Sequence, residues 1–193
     1  MKFMRDYKME NLENLSKVFE FHGHKSPGTA MGVFMVDYAI ELMNNLIKNR
    51  NVELNAVVET IPCLTDAVQI ITGCTIGNEK MHVVDYGRFA LTLYDKKTGI
   101  GIRVKLDVEK TKGYKNLHDW FLKRKPKRDL PKELVIGDII NARRDVLSYE
   151  MVRVKIKEEK LPVRFCSKCK EPFSSNNGGI CKYCGGEGYY EVI

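Results

Sequence analysis

Four cysteines near the end of the chain form the pattern with the most specific chemistry. Cys166 and Cys169 are separated by two residues, Cys181 and Cys184 are spaced in the same way, and eleven residues lie between the two pairs. Two intervening residues let a tight turn aim both sulfurs at one ion, and two such turns complete the tetrahedron that zinc accepts. Because protein supplies all four ligands, we expect a structural zinc with no position left open for chemistry.

The residues around these cysteines contain few large apolar side chains. Such a short segment cannot bury enough surface to fold unaided, so the metal replaces a hydrophobic core. Two disulfides and an iron–sulfur cluster are the alternatives for four cysteines. Disulfides are rare in a reducing compartment, and paired turns of this form favour zinc over a cluster.

A second group of potential metal ligands lies in the first third of the chain. His22 and His24 are one residue apart, so an extended local chain projects both imidazoles to the same side. Cys63 directly precedes a predicted short helix over residues 64–72, a position that favours the thiolate and makes it a better nucleophile and metal ligand. Cys74, beyond the other end of that helix, lacks this advantage and is predicted to be a buried small apolar group.

His22, His24 and Cys63 are therefore a candidate second metal site, with three protein ligands and room for water or a substrate. That open form is typical of catalytic zinc, which lowers the pKa of a bound water. Thr65 and Asp66, on the first turn of the same helix, are candidates for orienting a ligand, and with Cys63 they are the candidate catalytic residues. The alternative interpretation is a helix cap with two surface histidines.

The elements that must position these residues follow from hydrophobic periodicity. Residues 11–21 show helical spacing, and a strongly apolar central helix is predicted to begin with Ser26 as N-cap and Pro27 at its first position, and to run to about residue 50. The later predicted elements are, in chain order, a strand at 52–60, a helix at 64–72, a strand at 82–84, a hairpin with strands at 88–94 and 100–106, helices at 116–123 and 133–147, and a strand at 150–157.

This succession of elements indicates an α+β fold with helices packed on an antiparallel or mixed sheet. We predict a core domain over residues 1–160 and a small zinc-ribbon or treble-clef-like domain over residues 161–193. The 193 residues are 44% hydrophobic and 30% charged, as in soluble globular proteins. Because the sequence shows neither a long uncharged apolar run nor a signal-peptide hydrophobic region at its start, we expect a cytoplasmic protein without a membrane partner.

The net charge of +7 comes from one segment. Residues 110–160 hold 15 Lys or Arg against 8 Asp or Glu, and the remaining residues balance at 17 against 17. Five of the six residues at 123–128 are basic around Pro126, which favours an exposed loop. Such a cluster can contact nucleic-acid phosphates. Few aromatic residues alternate with the basic ones, however, so we favour a loop that is simply solvated. Arg88 and Arg103 are a further candidate site for an anion. The alternative, which is the commoner case, is that both arginines lie on the solvated face of the sheet.

Several segments of the chain together resemble the FmdE component of formylmethanofuran dehydrogenase and its free-standing FmdE-like relatives. They are FHGHKSPGTAMG, ETIPCLTDAVQIITGCTIGN, DYGRFALTLYD with IRV, and the four-cysteine tail. The resemblance implies an α+β core with a small zinc-binding domain, commonly in a dimer, in archaea and anaerobic bacteria. The complex named after the family couples carbon dioxide reduction to a molybdenum or tungsten pterin centre in other subunits, so the resemblance assigns no reaction to this chain.

One residue departs from the family pattern. The resemblance implies H-G-H-x-C-P-G around the histidines, and this chain has Ser26 in place of the cysteine. A hydroxyl neither forms a disulfide nor binds zinc well at neutral pH. Thiol redox chemistry at this position is therefore not expected here.

Three functions agree with these observations. The first is an FmdE-like metal-binding protein, related to methanogenesis, with a structural zinc and a second metal or anion site in the core. The second is a non-catalytic accessory or assembly subunit that contacts other subunits of a redox complex. The third, not favoured, is a zinc-ribbon regulator that binds nucleic acid through residues 123–128. We also expect a homodimer in which the connector at residues 155–163 lets the zinc domain reach the other subunit's core.

Overall fold

The structure, a computed structural model, describes residues 2–46, 52–156 and 161–191, with side chains of the first helix described from residue 12 onward. It divides the chain into two compact units, Met1–Val154 and Lys155–Ile193. In the larger unit, helices pack on a mixed sheet, which confirms the predicted α+β class. None of the described helices combines the length and the hydropathy that a bilayer span requires.

The helices of the larger unit form where apolar residues recur at helical spacing. They are α1 (Lys2–His22), α2 (Pro27–Leu46), α3 (Leu64–Thr72), α4 (Lys115–Phe121) and α5 (Lys132–Ala142). Helix α1 begins well before the predicted residue 11, and α3 has the predicted limits. The N–H of Gly73, which adopts the left-handed conformation at φ 70°, donates to the carbonyl of Gln69 and ends α3. The predicted extension of α2 to residue 50 lies outside the described residues.

Five strands form the sheet of the larger unit in the order β2-β1-β3-β4-β5. They are β1 (Leu54–Val58), β2 (Met81–Val83), β3 (Ala90–Asp95), β4 (Ile100–Leu106) and β5 (Leu147–Arg153). Strand β2 runs parallel to β1 and the other neighbours are antiparallel. The predicted hairpin is present: Gly99, at φ 70°, donates its N–H to the carbonyl of Asp95 at 2.8 Å and closes the turn.

The predicted helix over residues 133–147 is wrong in its last third. Helix α5 ends at Ala142, because Arg143 adopts a positive φ of 47° that no helix continues through. A 3₁₀ turn, Arg143–Val146, then leads into β5, which pairs with β4 along its whole length. The predicted strand at 150–157 therefore begins three residues earlier, at Leu147. The positive φ of Arg143 and the 3₁₀ turn that follows interrupt the helical pattern before β5 begins.

Helix α2 is the centre of the core, as its apolar sequence predicts. It packs against α1, α3 and α5 and against strands β3 and β4. Met31, Val33, Met35 and Val36 have no exposed surface, so the methionines of this helix fill the core. A Cβ added to Gly32 would lie 2.8 Å from the Cβ of Ala67 on α3, which shows how closely the two helices approach.

Arg88 and Arg103 do share an anion, and that anion is the protein's own Glu59. The Nε of Arg103 lies 2.6 Å and its Nη2 3.0 Å from the two carboxylate oxygens, and the Nε of Arg88 lies 2.8 Å from one of them. Burial by itself would raise the pKa of Glu59, but the hydrogen bonds and charges of Arg103 and Arg88 outweigh it and lower the pKa. The ion pair between Glu59 and Arg103 links the end of β1 to β4.

The close approach of α2 and α3 predicts that Gly32→Ala destabilises the protein. The new methyl group must displace Ala67 or Leu64, which costs about 1–2 kcal/mol after the gain in helix propensity. Urea unfolding monitored by circular dichroism measures the change. Gly137→Ala on α5 is the matched control, because a Cβ there meets no atom within 4 Å. The control is expected to be neutral or slightly stabilising, and equal effects of the two substitutions would contradict the packing argument.

The Glu59 ion pair predicts a pH-dependent stability. Because its pKa is lower in the folded than in the unfolded chain, Glu59 contributes stability above the unfolded pKa, and this contribution is lost as the pH falls through the folded pKa. Glu59→Gln should therefore cost about 2 kcal/mol at neutral pH and progressively less below about pH 4. Arg88→Ala, at an arginine that is largely exposed, should cost less than about 1 kcal/mol. Urea unfolding across pH measures both, and a pH-independent difference would contradict the assignment.

Candidate metal centres

The smaller unit brings all four predicted cysteine ligands to one point. Cys166, Cys169, Cys181 and Cys184 place their sulfurs within 4.8 Å of one another, the one such group of three or more His, Cys, Asp or Glu ligands in the part of the chain that the structure describes. The sulfurs of Cys169 and Cys181 are 3.9 Å apart. Four thiolates around a tetrahedral zinc lie about 3.8 Å from each other, so the donor set fits zinc.

Tight turns around the cysteines produce this arrangement. The short strands β6 (Val163–Phe165) and β7 (Pro172–Ser174) pair antiparallel and carry the first cysteine turn between them. Lys170 closes that turn by donating its N–H to the carbonyl of Cys166 at 3.0 Å. Gly178, Gly179 and Gly186 have positive φ, which accounts for glycines around the second pair.

The electrostatics of the four thiols call for a cation. Backbone N–H groups, first that of Cys181 at 3.4 Å, lower the pKa of Cys166 to about 6. Burial and the neighbouring cysteines raise the pKa of Cys184. The first thiol therefore ionises easily, whereas the last resists adding another negative charge to the cluster. A divalent metal removes that repulsion and lets all four act as ligands.

In the larger unit, the ends of α1 and α3 bring His22 close to Cys63. His22 is the last residue of α1, and Cys63 immediately precedes α3 with an unusual positive φ of 64°. The Nε2 atom of His22 lies 3.9 Å from the Sγ atom of Cys63. Positive φ at a residue other than glycine is costly and is concentrated at functional sites. The two residues come from segments 41 positions apart, so tertiary packing alone creates the pair.

Asp66 orients the imidazole of His22. Its Oδ2 atom lies 2.6 Å from Nδ1, on the side of the ring away from Cys63. Since a carboxylate only accepts hydrogen bonds, Nδ1 carries the proton, and the lone pair of Nε2 in the neutral ring faces Cys63. A carboxylate that fixes a histidine in this way is the usual outer partner of a metal-binding imidazole.

The start of α2 forms the other wall of this site. The hydroxyl of Ser26 lies 3.4 Å from the sulfur of Cys63. A Cβ added to Gly28 would lie 2.9 Å from the same sulfur, so glycine makes room for the thiol. The sequence identified Ser26 as a helix cap and as the residue that replaces the cysteine of the family pattern, and it did not single out Gly28. No local pattern shows that either residue contacts Cys63, because Cys63 lies on a distant segment of the chain.

The other residues singled out in the sequence, His24, Thr65 and Cys74, do not join the close contact between His22 and Cys63. The rings of His24 and His22 have centroids 4.5 Å apart, but His24 is exposed and its nitrogens do not complete a tight cluster with Nε2 and Sγ. Thr65 donates its hydroxyl to the carbonyl of Ile61 at 3.0 Å. Cys74 is buried, with its sulfur 3.4 Å from the carbonyl of Leu54, and burial raises its pKa, as expected of a core thiol.

The basic residues at 123–128 are exposed between α4 and α5, as predicted, and the last two of them begin a 3₁₀ turn, Lys127–Asp129. Lys125 pairs with Asp119 at 3.0 Å. The rings of Trp120 and Phe121 both meet the ring of Phe89, with centroids 6.4 Å apart, so these aromatic side chains are engaged within the protein. Their engagement supports a solvated loop over a surface that stacks nucleic-acid bases.

Two family models match the chain. The model described as FmdE, Molybdenum formylmethanofuran dehydrogenase operon, matches residues 21–155. The model described as FmdE treble clef zinc finger matches residues 157–191. The second match covers all four clustered cysteines and supports a structural zinc bound by a treble clef, the second of the two tail folds predicted.

The chain is also similar to individual proteins. A crystal structure of a tungsten formylmethanofuran dehydrogenase FmdE-like protein from Syntrophus aciditrophicus superposes with a TM-score of 0.79 at 36% identity, covering 94% of this chain and 95% of that one. A probable S-adenosyl-L-methionine-binding protein from Archaeoglobus fulgidus is 31% identical over 93% of this chain and 54% of its own length. The chain thus spans about half the length of that curated relative.

The four-cysteine centre predicts that zinc removal unfolds the smaller unit and spares the larger one. Zinc binding supplies about 10–16 kcal/mol to comparable small folds, whereas the larger unit has its own hydrophobic core. After incubation with a chelator, limited proteolysis with mass spectrometry should show cleavage within residues 161–191 and protection of the core. Cys169→Ser should behave like the chelated protein, and Cys74→Ser, outside the cluster, should retain the zinc. Equal protection of the tail with and without metal would contradict this prediction.

Proposed function

Because this chain belongs to the FmdE family and ends in the family's treble clef zinc finger, we propose that its core binds a second metal ion through His22, Cys63 and His24. The protein is then a metal-binding protein with two distinct centres. The zinc of the tail holds the smaller unit together. The core centre is the open one, where an external ligand can reach the metal.

The spacing of His22 and Cys63 carries this proposal. A tetrahedral zinc bonded to nitrogen and sulfur at its usual distances holds those two atoms about 3.6 Å apart. The Nε2 and Sγ atoms are 3.9 Å apart, so shifts of a few tenths of an ångström suffice to bind one ion. The hydrogen bond from Nδ1 to Asp66 already sets the tautomer that such binding needs.

His24 supplies the third ligand in this proposal. Its ring lies beside that of His22, at 4.5 Å between centroids, and the exposed side chain can rotate towards the ion. His22, Cys63 and Asp66 are only partly buried, so solvent reaches the site. A metal held by three protein ligands keeps a position for water or a small ligand, and its chemistry is that of a Lewis acid.

An accessory role through protein contacts is the second candidate function, and strand β5 supports it. This strand lies at the edge of the sheet, and Tyr149 and Met151 on it are 49% and 70% exposed. The edge of a sheet offers backbone groups to which another chain can pair, and Tyr149 and Met151 add exposed apolar surface there. We propose that a second copy of this chain pairs there, in the homodimer that the family resemblance implies.

The core metal site predicts the metal content of defined variants. With the tail saturated with zinc, elemental analysis of the purified protein should find more than one metal ion per chain. His22→Ala and Cys63→Ala should each lose the surplus ion, because each removes a ligand. Asp66→Asn should keep the site but weaken its affinity about 10–100-fold in chelator competition.

Cys74→Ala is the matched control for these variants, since its buried thiol contacts the carbonyl of Leu54 and belongs to neither set of ligands, so its loss should leave the metal content unchanged. One metal ion per chain in the unmodified protein, under metal excess, would remove the core site from consideration.

The proposed contact predicts that the chain is a dimer in solution. Light scattering at micromolar concentration should give twice the chain mass of 22.2 kDa. Met151→Lys should shift the protein towards monomer, because it places a charge on the pairing surface. Lys132→Met, at an exposed position on α5, provides a comparison that should leave the mass unchanged. A monomer without any substitution would overturn the dimer.

A further inference from the structure

We propose that Ser26 stands at the fourth corner of the core metal site and keeps that corner exchangeable for a small monoanion. This inference rests on the core metal site proposed above. It assigns a specificity-determining role to a residue that otherwise serves only as the start of α2.

The backbone holds Ser26 firmly in place. Its carbonyl accepts the N–H of Ala30 at 3.0 Å and the hydroxyl of Thr29 at 2.9 Å. The residue is only 8% exposed, and its own hydroxyl faces the sulfur of Cys63 at 3.4 Å. The backbone of Ser26 is therefore held in place, and its largely buried hydroxyl lies on the Cys63 side of the pocket.

The distance from this oxygen to Cys63 is that of a neighbouring ligand. Oxygen and sulfur bound to one tetrahedral zinc are about 3.6 Å apart, close to the 3.4 Å between Ser26 Oγ and Cys63 Sγ. Both Ser26 Oγ and His22 Nε2 thus lie at ligand spacing from the same sulfur. An ion bound to Cys63 on the side that faces Ser26 would have the serine hydroxyl beside it.

A serine hydroxyl in that place does not close the site. Zinc is bound in proteins by thiolate, imidazole and carboxylate, and a neutral hydroxyl is a weak donor by comparison. Ser26 instead hydrogen-bonds to the sulfur and yields the fourth position to an incoming ligand. A side chain with a strong donor here would complete a closed tetrahedron of the structural kind.

Charge decides the class of that incoming ligand. A divalent ion with one thiolate and two neutral imidazoles as ligands retains one positive charge, which a monoanion neutralises; the carboxylate of Asp66 is engaged with the Nδ1 of His22, outside the set of metal ligands. The first turns of α2 and α3 also lie at the pocket, and the N-terminal ends of helices favour negative charge. A carboxylate or another small monoanion therefore fits better than a cation or a dianion, and azide is a suitable probe.

Cobalt spectroscopy of the full-length protein tests this role. With zinc in the tail and cobalt in the core, azide should shift the visible absorption of the unmodified protein. Ser26→Cys, kept reduced, should add a second thiolate. We expect its sulfur-to-cobalt charge-transfer band to be about twice as intense, its cobalt affinity to rise at least about tenfold, and its response to azide to disappear. Lys25→Cys, with an exposed thiol one residue away, is the matched control and should match the unmodified protein.

Ser26→Ala provides a second, independent measurement. Because the hydroxyl contributes little as a ligand, its cobalt affinity should stay within about threefold of the unmodified protein, and azide should bind at least as tightly. An unchanged spectrum and a retained azide response in Ser26→Cys, or loss of the azide response in Ser26→Ala, overturns the role of Ser26 while leaving the metal site intact. Failure of the unmodified protein to bind cobalt in its core overturns the metal site and this inference with it.

Discussion

The close contact between α2 and the start of α3 is the constraint on which the core site depends. Gly28 and Gly32 lie on successive turns of α2. Gly28 faces Cys63, just before α3, and Gly32 faces Ala67 on α3, each at a distance that leaves no room for a Cβ. Gly32 lets the helices approach, and Gly28 leaves room for the sulfur of Cys63. Larger side chains at either position would force the helices apart and carry Cys63 away from Ser26. Close packing of small residues thus serves both the stability of the core and the geometry of the site.

Carboxylates with dedicated partners fix the parts of the larger unit that packing alone leaves free. Glu59 joins β1 to Arg103 on β4, and Asp66 joins α3 to His22 at the end of α1. The two contacts have different consequences. The carboxylate of Glu59 is paired with two arginines and stabilises the fold. The carboxylate of Asp66 contacts the Nδ1 atom of His22 and leaves the Nε2 atom of the same ring directed at Cys63. A histidine whose Nδ1 atom is held by a carboxylate can bind a metal through its Nε2 atom.

The two units solve the problem of stability in different ways. The larger one buries α2 on several sides and has a core of aliphatic and methionine side chains. The smaller one presents Val163 and Phe165 largely to solvent and gathers four cysteines instead. A metal that provides the folding energy of the tail must be fully coordinated, and one that reacts must not be. The tail therefore holds the closed centre, and the open centre is proposed where the rigid core can hold an incomplete set of ligands.

The sequence alone determined the features that depend on neighbouring residues. The spacing of Cys166, Cys169, Cys181 and Cys184 defined the zinc centre, the hydrophobic periodicity identified α2 and α3, and the turn before Gly99 located the hairpin. Only the tertiary structure decided which side chains meet. His22 reaches Asp66 across 44 positions, Ser26 reaches Cys63 across 37, and a 3₁₀ turn that leads into β5 stands where the end of a helix was predicted. Periodicity reports which face of an element is buried, but it carries no information about which distant element covers that face. The four-cysteine centre was therefore readable in advance, whereas the partners of Cys63 became visible only once the helices were packed.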